Sequence, residues 1–116
     1  MLMAAGAMAA DIKPALLYDL GGKFDKSFNE AAHTGAEQFK TDSGIEYRDF
    51  EIQNDSQREQ ALRNFAKRGM SPIVAIGFSQ ANAVEKVAKE FPDLQFAIVD
   101  MVVDLPNVST WAGICD

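Results

Sequence analysis

The chain alternates between short apolar runs and stretches of helical periodicity, and this alternation constrains its fold more than any other feature. Apolar runs span residues 14–18, 72–78 and 94–100, and residues 45–52 are a further strand candidate in which Ile45, Tyr47 and Ile52 would pack. Between them, apolar residues recur every three or four positions, as they do in amphipathic helices. Strands joined by helices form a parallel sheet with helices on both faces. The sequence therefore predicts an α/β protein of three layers, with the order β-α-β-α-β-α-β.

Local signals predict where the three helices begin and end. A serine followed three residues later by glutamate forms a capping box, in which each side chain binds a backbone N–H of the first helical turn. Such boxes predict helix starts at Ser27 and Ser56, and Ser79 predicts the third start. Gly69 and Pro92 are typical of residues that follow a helix end. The first helix is expected to bury one face, formed by Phe28, Ala31, Ala32, Gly35, Ala36 and Phe39.

Both ends of the chain differ from this pattern. Residues 1–10 are small and apolar, and Ala7-Met8-Ala9 has the small-x-small form of a signal-peptidase site. We interpret them as the remnant of an export signal; the alternative is a frayed terminus that follows a misplaced start codon. Residues 101–116 hold no clear element, which leaves the last strand as an open edge without a covering helix. The chain is therefore expected to be a fragment of a longer α/β protein.

Composition excludes several classes of function. The formal net charge is -6, with 17 acidic and 11 basic residues, so the chain lacks the basic surface that a nucleic-acid partner requires. One cysteine and one histidine cannot form an internal disulfide or a metal site of several Cys or His ligands. Neither of the two common glycine-rich phosphate-binding motifs is present. We therefore predict no metal and no cofactor.

Polar and aromatic residues follow several of the predicted strands. In a parallel sheet, ligands bind beyond the carboxyl ends of the strands. Carboxylates there accept hydrogen bonds from hydroxyls or amines, an amide both donates and accepts, and a phenyl ring stacks on a flat ring. The sequence therefore predicts a site for a planar, hydroxylated small molecule. The six residues predicted to lie at this edge are Asp19, Phe28, Asn29, Gly77, Phe78 and Asp100.

Each of these residues also has a purely structural interpretation. Acids such as Asp19 and Asp100 often follow strands because loops begin there. Phe28 opens the apolar face of its helix and would fit the core, and Asn29 would fit a solvated first turn. Taken singly, each is more often structural than functional. Only their common position at one edge of the sheet favours a binding site.

The residues at this edge belong to a block that resembles a known family. Residues 16–39, LLYDLGGKFDKSFNEAAHTGAEQF, closely resemble the opening of the basic membrane protein family. These are substrate-binding proteins of ABC transporters, and they include the purine nucleoside receptor lipoproteins of bacteria. The DKSFN block at residues 25–29 is specific. Residues 74–77, 87–93 and 95–100 resemble the family's third strand, third helix and fourth strand in the same order.

The resemblance implies a fold and an activity. It implies a type I periplasmic-binding-protein-like fold, related to flavodoxin, in which two α/β lobes close on a ligand. Residues 11–100 would form the first lobe, and residues 101–116 an atypical tail. The implied activity is capture of a purine nucleoside for an ABC permease, with no chemical reaction and hence no enzyme. The implied location is the periplasm, with association to the plasma membrane through the transporter.

The resemblance also implies roles for the six residues. Asp19 and Asn29 would hydrogen-bond the purine base, and Phe28 would stack on it. Asp100 would accept the ribose hydroxyls. Gly77 and Phe78 would line the cleft.

The chain departs from the family in length and at both ends. Family members are more than twice as long, and their second lobe supplies further ligand contacts, so we expect weak binding or none from this chain alone. Residues 108–116 match the family poorly. Many relatives carry a cysteine directly after the signal, which is absent here, so the mature form is expected to be soluble.

Two other classes of function fit the sequence less well. A response-regulator receiver domain has a similar order of elements, but it needs a phosphorylatable aspartate after strand three and a lysine after strand five. Here strand three ends in Gly77 and Phe78, and no fifth strand is visible in the sequence. A small enzyme using Asp19 and Asp100 as an acid–base pair would lack a nucleophile, a metal set and a cofactor loop.

Overall fold

A parallel sheet runs through the described part of the protein. The computed structural model describes residues 12–111, so the predicted signal remnant and the last five residues lie outside it. The strands are β1 (Ala15–Tyr18), β2 (Arg48–Glu51), β3 (Ile73–Ile76), β4 (Phe96–Val99) and β5 (Val108–Trp111). The helices are α1 (Phe28–Ser43), α2 (Gln57–Lys67) and α3 (Ala81–Glu90), with a 3₁₀ turn at Phe78–Gln80. All neighbouring strands are parallel, in the order β2-β1-β3-β4-β5.

The fifth strand corrects the sequence analysis. β5 pairs with β4 from Phe96 opposite Val108 to Val99 opposite Trp111. The prediction that residues 101–116 hold no clear element, with no fifth strand, is therefore wrong for residues 108–111. A buried amide anchors this strand. Asn107 Nδ2 lies 3.1 Å from the carbonyl oxygen of Ala88, 3.2 Å from that of Phe91 and 3.0 Å from that of Leu94.

Helices cover both faces of the sheet, as predicted. Successive strand residues point to opposite faces of a sheet. Leu17 therefore joins the larger core, which lies against α2 and α3, whereas Leu16 and Tyr18 join a smaller cluster with α1. The larger core contains Leu62, Phe65, Ile73, Val84, Val87, Phe96 and Ile98, among other residues.

The α1 face of the sheet is covered less completely than the other face. Ala32 and Ala36 pack on the small cluster, as expected, but Phe28 and Phe39 are 45% and 38% exposed. Only Asn29 of α1 is buried. Ala31 and Gly35 are exposed as well, so the expectation of one continuous buried stripe is wrong except at Ala32 and Ala36. Because one helix covers this face and two cover the other, an apolar recess of about 420 Å³ stays open beside α1.

The predicted serines do not cap the helix starts. No side-chain cap hydrogen bond comes from Ser27 or Ser56. Asp25 Oδ1 instead accepts the N–H groups of Ser27 and Glu30, and Glu30 Oε1 accepts that of Lys26. A carboxylate is a stronger acceptor than a hydroxyl, which explains why Asp25 takes this position.

The later helix ends agree only in part with the prediction. Ser79 lies within the 3₁₀ turn that precedes α3, and the helix itself begins at Ala81. Gly69 has a φ of 75° two residues after the end of α2, and α3 ends two residues before Pro92, as predicted. Glycine adopts such a φ without the steric penalty that other residues meet.

A surface ion-pair network joins α2 to α3. Arg63 Nη2 lies 2.8 Å from Glu59 Oε2 and 2.7 Å from Glu90 Oε2. Hydrogen bonds from Arg63 lower the pKa of both glutamates below the ordinary value of 4.5. A carboxylate whose pKa is lowered by folding stabilises the fold above its unfolded pKa, and this contribution disappears as the pH falls through the folded pKa.

The substitution Arg63→Gln is therefore expected to lower the free energy of unfolding at neutral pH and to lose this effect in acid. The measurement is urea denaturation of both proteins at about pH 6.5 and about pH 3. The difference between the two proteins should be small, since the pairs are exposed, and it should shrink at the lower pH. An equal difference at both pH values would contradict the role assigned to Arg63.

Candidate functional site

The six predicted residues lie at the carboxyl-end edge of the sheet, which we call the rim. Asp19 directly follows β1, Gly77 directly follows β3, and Asp100 directly follows β4. The chain leaves β1 toward β2 on one side, while β3 lies on the other side, so the switch in strand order falls between β1 and β3. Ligands of open parallel sheets bind at such a switch point. Asp19 and Gly77 flank it.

Asn29 holds the loop between β1 and α1 together. Its side chain is buried, with Oδ1 accepting the Asp19 N–H at 2.9 Å. Its Nδ2 donates to the carbonyl oxygens of Asp19 at 3.0 Å and Leu20 at 3.3 Å. Both amide hydrogens are thus engaged with the backbone. The expected contact between Asn29 and a ligand stays a prediction, and in this structure the side chain positions Asp19.

Asp19 has one carboxylate oxygen engaged and one available. Oδ1 accepts the Leu20 N–H at 2.8 Å and Arg58 Nη1 at 2.6 Å. Oδ2 forms no hydrogen bond with any residue in the range 12–111 and lies against Gly77. A Cβ atom on Gly77, whose φ is 105°, would collide with this oxygen. Gly77 is therefore required both by its backbone conformation and by the close approach of Asp19.

Arg58 is part of the site, although it is not among the six residues predicted from the sequence. It lies in the first turn of α2, is only 7% exposed, and also binds Asp55 Oδ1 through Nε at 3.1 Å and Nη2 at 2.8 Å. Burial alone would lower the pKa of Arg58, but the hydrogen bonds to Asp19 and Asp55 outweigh it and raise the pKa above the ordinary value. A signal existed, because a cation in the first turn of a helix opposes the helix dipole and needs acidic partners.

Two phenylalanines of the rim are exposed. Phe28, the first residue of α1, is 45% exposed, and Phe78, the first residue of the 3₁₀ turn, is 63% exposed. The alternative that Phe28 belongs to the core is therefore wrong. Leu20 and Phe24 of the adjoining loop are exposed as well. Apolar side chains concentrated in this way mark a surface that binds a ligand or another protein segment.

Asp100 has an unusual backbone conformation. Its φ is 76°, which non-glycine residues rarely adopt, although aspartate tolerates it better than most. Directly before it, the Val99 carbonyl accepts the Gly77 N–H at 3.1 Å and ties the end of β4 to that of β3. The Asp100 carboxylate forms no hydrogen bond or ion pair with the residues that the structure describes. Such conformations persist where the surrounding structure imposes them, often at binding sites.

A polar network lies behind the rim, next to the loop that carries Asp19. The buried Tyr18 hydroxyl donates to Asp49 Oδ2 at 3.0 Å and lies 3.3 Å from His33 Nδ1. Burial and the Asp49 carboxylate raise the pKa of Tyr18, so its hydroxyl stays protonated at neutral pH. The Phe24 ring packs edge-on against His33, with centroids 5.3 Å apart. His33 is thereby partly buried.

Other possible sites in the described range are less suitable. No group of three or more His, Cys, Asp or Glu side chains within residues 12–111 is arranged to hold a metal ion. In the same range, no helix combines the length and the apolar character needed to cross a membrane. An open recess of about 750 Å³ lies at the amino ends of β1 and β2, and none of the six rim residues lines it.

Comparison with known proteins identifies relatives of the whole described fold. A family model described as "ABC transporter substrate-binding protein PnrA-like" matches residues 12–113. An uncharacterised lipoprotein of Pyrococcus abyssi is 32% identical over 93 residues, which are 79% of this chain and 23% of the relative. The ABC transporter nucleoside-binding protein BmpA of Lactococcus lactis is 29% identical over 111 residues, which are 91% of this chain and 32% of the relative.

A solved structure shows the same fold. An ABC transporter solute-binding protein of Aeropyrum pernix superposes with a TM-score of 0.81 at 29% identity, over 87% of this chain and 28% of that one. The predicted fold class is thereby confirmed. The match covers between 23% and 32% of the length of these relatives.

Proposed function

The chain belongs to the PnrA-like family of ABC transporter substrate-binding proteins, and from this premise we propose that it forms one lobe of a receptor for a purine nucleoside or a similar small ligand. The observation that carries the proposal is the rim. Asp19 and Asp100, whose carboxylates keep acceptor oxygens without a partner among residues 12–111, lie at the rim with the exposed ring of Phe28, and Asp19 lies at the switch point itself. The printed name of the Lactococcus lactis relative, a nucleoside-binding protein, supports this ligand class.

Each rim residue has a chemical role in the proposed complex. The Phe28 ring stacks on the base, which contributes ~1–3 kcal/mol in comparable stacks. Asp19 Oδ2 accepts an N–H of the base, and the Asp100 carboxylate accepts ribose hydroxyls. Gly77 and Phe78 close the floor of the cleft next to Asp19. Asn29 acts through the loop, because its amide fixes the position of Asp19.

The proposed mechanism is capture by closure of two lobes, without chemical change to the ligand. A second lobe folds over the rim, excludes water and strengthens each hydrogen bond in the cleft. A membrane permease then recognises the closed form. Several relatives are named as lipoproteins, which supports a location on the outer side of the plasma membrane, in the periplasm where the cell has one.

This chain alone is expected to bind nucleosides weakly, because it offers only one side of the cleft. Calorimetric titration of the 116-residue protein with guanosine and with adenosine measures the affinity. We expect dissociation constants far weaker than about 1 μM. A micromolar or tighter constant would contradict the assignment of the rim as half of a site.

Phe28→Ala tests the stacking contact. The substitution removes the exposed ring and is expected to weaken nucleoside binding about tenfold, measured by the same titration or by chemical-shift changes at millimolar ligand. Phe39→Ala is the matched control, since Phe39 lies on the same helix with similar exposure but outside the rim. It should leave the affinity unchanged. Equal losses in both variants, or none in Phe28→Ala, would overturn the role of Phe28.

A further inference from the structure

The buried guanidinium of Arg58 links α2 to the end of β1. Its Nη1 lies 2.6 Å from Asp19 Oδ1, while Nε and Nη2 bind Asp55. Asp55 is an exposed residue, with 82% of its side chain accessible, so it orients Arg58 from the solvent side. The planar fork thereby makes contacts in two directions, which a flexible ammonium group does not reproduce.

This arrangement determines which part of Asp19 faces a ligand. Oδ1 is occupied by Arg58 and by the Leu20 N–H. Oδ2 lies beside Gly77, in the space that a Cβ atom on that residue would fill. The carboxylate is therefore held in one orientation, with Oδ2 as the acceptor that remains. The positive charge of Arg58 faces the carboxylates of both Asp19 and Asp55 and offsets part of their negative charge.

We propose that Arg58 is a positioning residue of the ligand site, which holds Asp19 in the orientation that accepts an N–H donor. The ligand named in this inference rests on the proposed function. The geometry of Arg58 and Asp19 does not depend on it. Arg58 itself does not contact the ligand. It acts through Asp19, as Asn29 acts through the backbone of the same residue.

The alternative is that Arg58 has only a structural role, in which its ion pair with Asp19 attaches α2 to the sheet. Removing one partner of a buried pair destabilises a protein whether or not the pair positions a ligand contact. Loss of stability in an Arg58 variant therefore does not distinguish the two roles. The readouts must report the orientation of Asp19 and the binding of ligand.

The experiment compares Arg58→Met, Arg58→Lys and Arg63→Met in the full 116-residue chain. Arg63 is the matched control because it lies in the same helix and pairs with two glutamates away from the rim. The first readout is the NMR signal of the Leu20 amide, which donates to Asp19 Oδ1. The second is the change in affinity for guanosine, as a neutral N–H donor.

In Arg58→Met we expect the Leu20 amide to lose its hydrogen-bonded downfield shift and guanosine binding to weaken about tenfold. Arg63→Met should change neither readout. Arg58→Lys keeps the charge without the fork, so it should fold even where Arg58→Met does not, and still lose the Leu20 shift and part of the affinity.

Full rescue of both readouts by lysine would overturn the proposal, because charge alone would then suffice. An unchanged Leu20 signal in Arg58→Met would overturn it as well. If the wild-type chain shows no response to guanosine at millimolar concentration, the proposed function fails for this ligand, while the Leu20 signal still decides whether Arg58 orients Asp19.

Discussion

Replacing Asn29 with alanine is expected to lower the free energy of unfolding by about 3 kcal/mol, measured by urea denaturation. The substitution removes three hydrogen bonds between the buried Asn29 amide, which accepts one and donates two, and the backbone of Asp19 and Leu20. A buried N–H and carbonyl groups then lose their partners, which costs more than the hydrogen bonds contribute. The loop that carries Asp19 should loosen, so any nucleoside response should disappear together with the stability.

Asn64→Ala is the control for this effect. Asn64 is exposed in the middle of α2, where alanine is the better helix former, so its replacement should change the stability by less than ~0.5 kcal/mol. If Asn29→Ala were as mild as Asn64→Ala, the amide would not hold the loop. Asn29 would then be free to bind a ligand directly, as the sequence alone suggested.

Replacing Gly77 with alanine should cost a similar amount, about 3 kcal/mol, for a different reason. Alanine at a φ of 105° is strained, and its Cβ would collide with Asp19 Oδ2. The carboxylate must then leave its place between Gly77 and Arg58, so the variant should lose ligand response even at temperatures where it stays folded. Thermal denaturation and nucleoside titration measure the two effects.

Gly35→Ala makes the same chemical change in a different environment. Gly35 lies within α1, and a Cβ atom there would meet no atom within 4 Å. Alanine is the better helix former, so this variant should gain about 1 kcal/mol. A gain in Gly77→Ala as well would show that the backbone after β3 relaxes freely and that the contact with Asp19 is not tight.

The sheet was predictable from the sequence because its central strands are continuous apolar runs. β1 and β3 are almost entirely buried, and periodic helices separate them from their neighbours. The positions of Asp19, Gly77 and Asp100 at strand ends followed directly from those runs. The assignment of α1 to one face and of α2 and α3 to the other follows from the handedness of strand-helix-strand units.

The fifth strand was not predictable in the same way. It contains Ser109 and Thr110, and no helix precedes it, so it breaks the alternation that identified the other four. Its attachment depends on Asn107, a polar residue that sequence patterns place in a turn. The buried amide and its three carbonyl partners are a tertiary feature, visible only once α3 and β4 are in place.

The candidate site was predictable in its location but not in its contacts. Asn29 was expected to face a ligand, because an isolated sequence gives no sign that its amide meets the backbone ten residues earlier. Arg58 was missed because its partner Asp19 is 39 residues away. Contacts of this range depend on how α2 packs on the sheet, and no local propensity encodes them.

The residues of the site, rather than the sheet topology, argue against the receiver-domain alternative. A fifth strand is present after all, so the argument from its absence no longer holds. However, β3 is followed by Gly77 and the exposed Phe78, where a receiver would carry its phosphorylated aspartate. The match of residues 12–113 to the transporter family favours the binding protein instead.

The central claim is that the rim is half of a nucleoside site, and amide chemical-shift mapping tests it most directly. The isotope-labelled chain is titrated with guanosine to millimolar concentration. We predict saturable shifts in the loop between Asp19 and Asn29, at Gly77 and Phe78, and at Asp100, with the amino ends of the strands unaffected. Saturable shifts centred on the recess at those amino ends, or no shifts at the rim, would contradict the account.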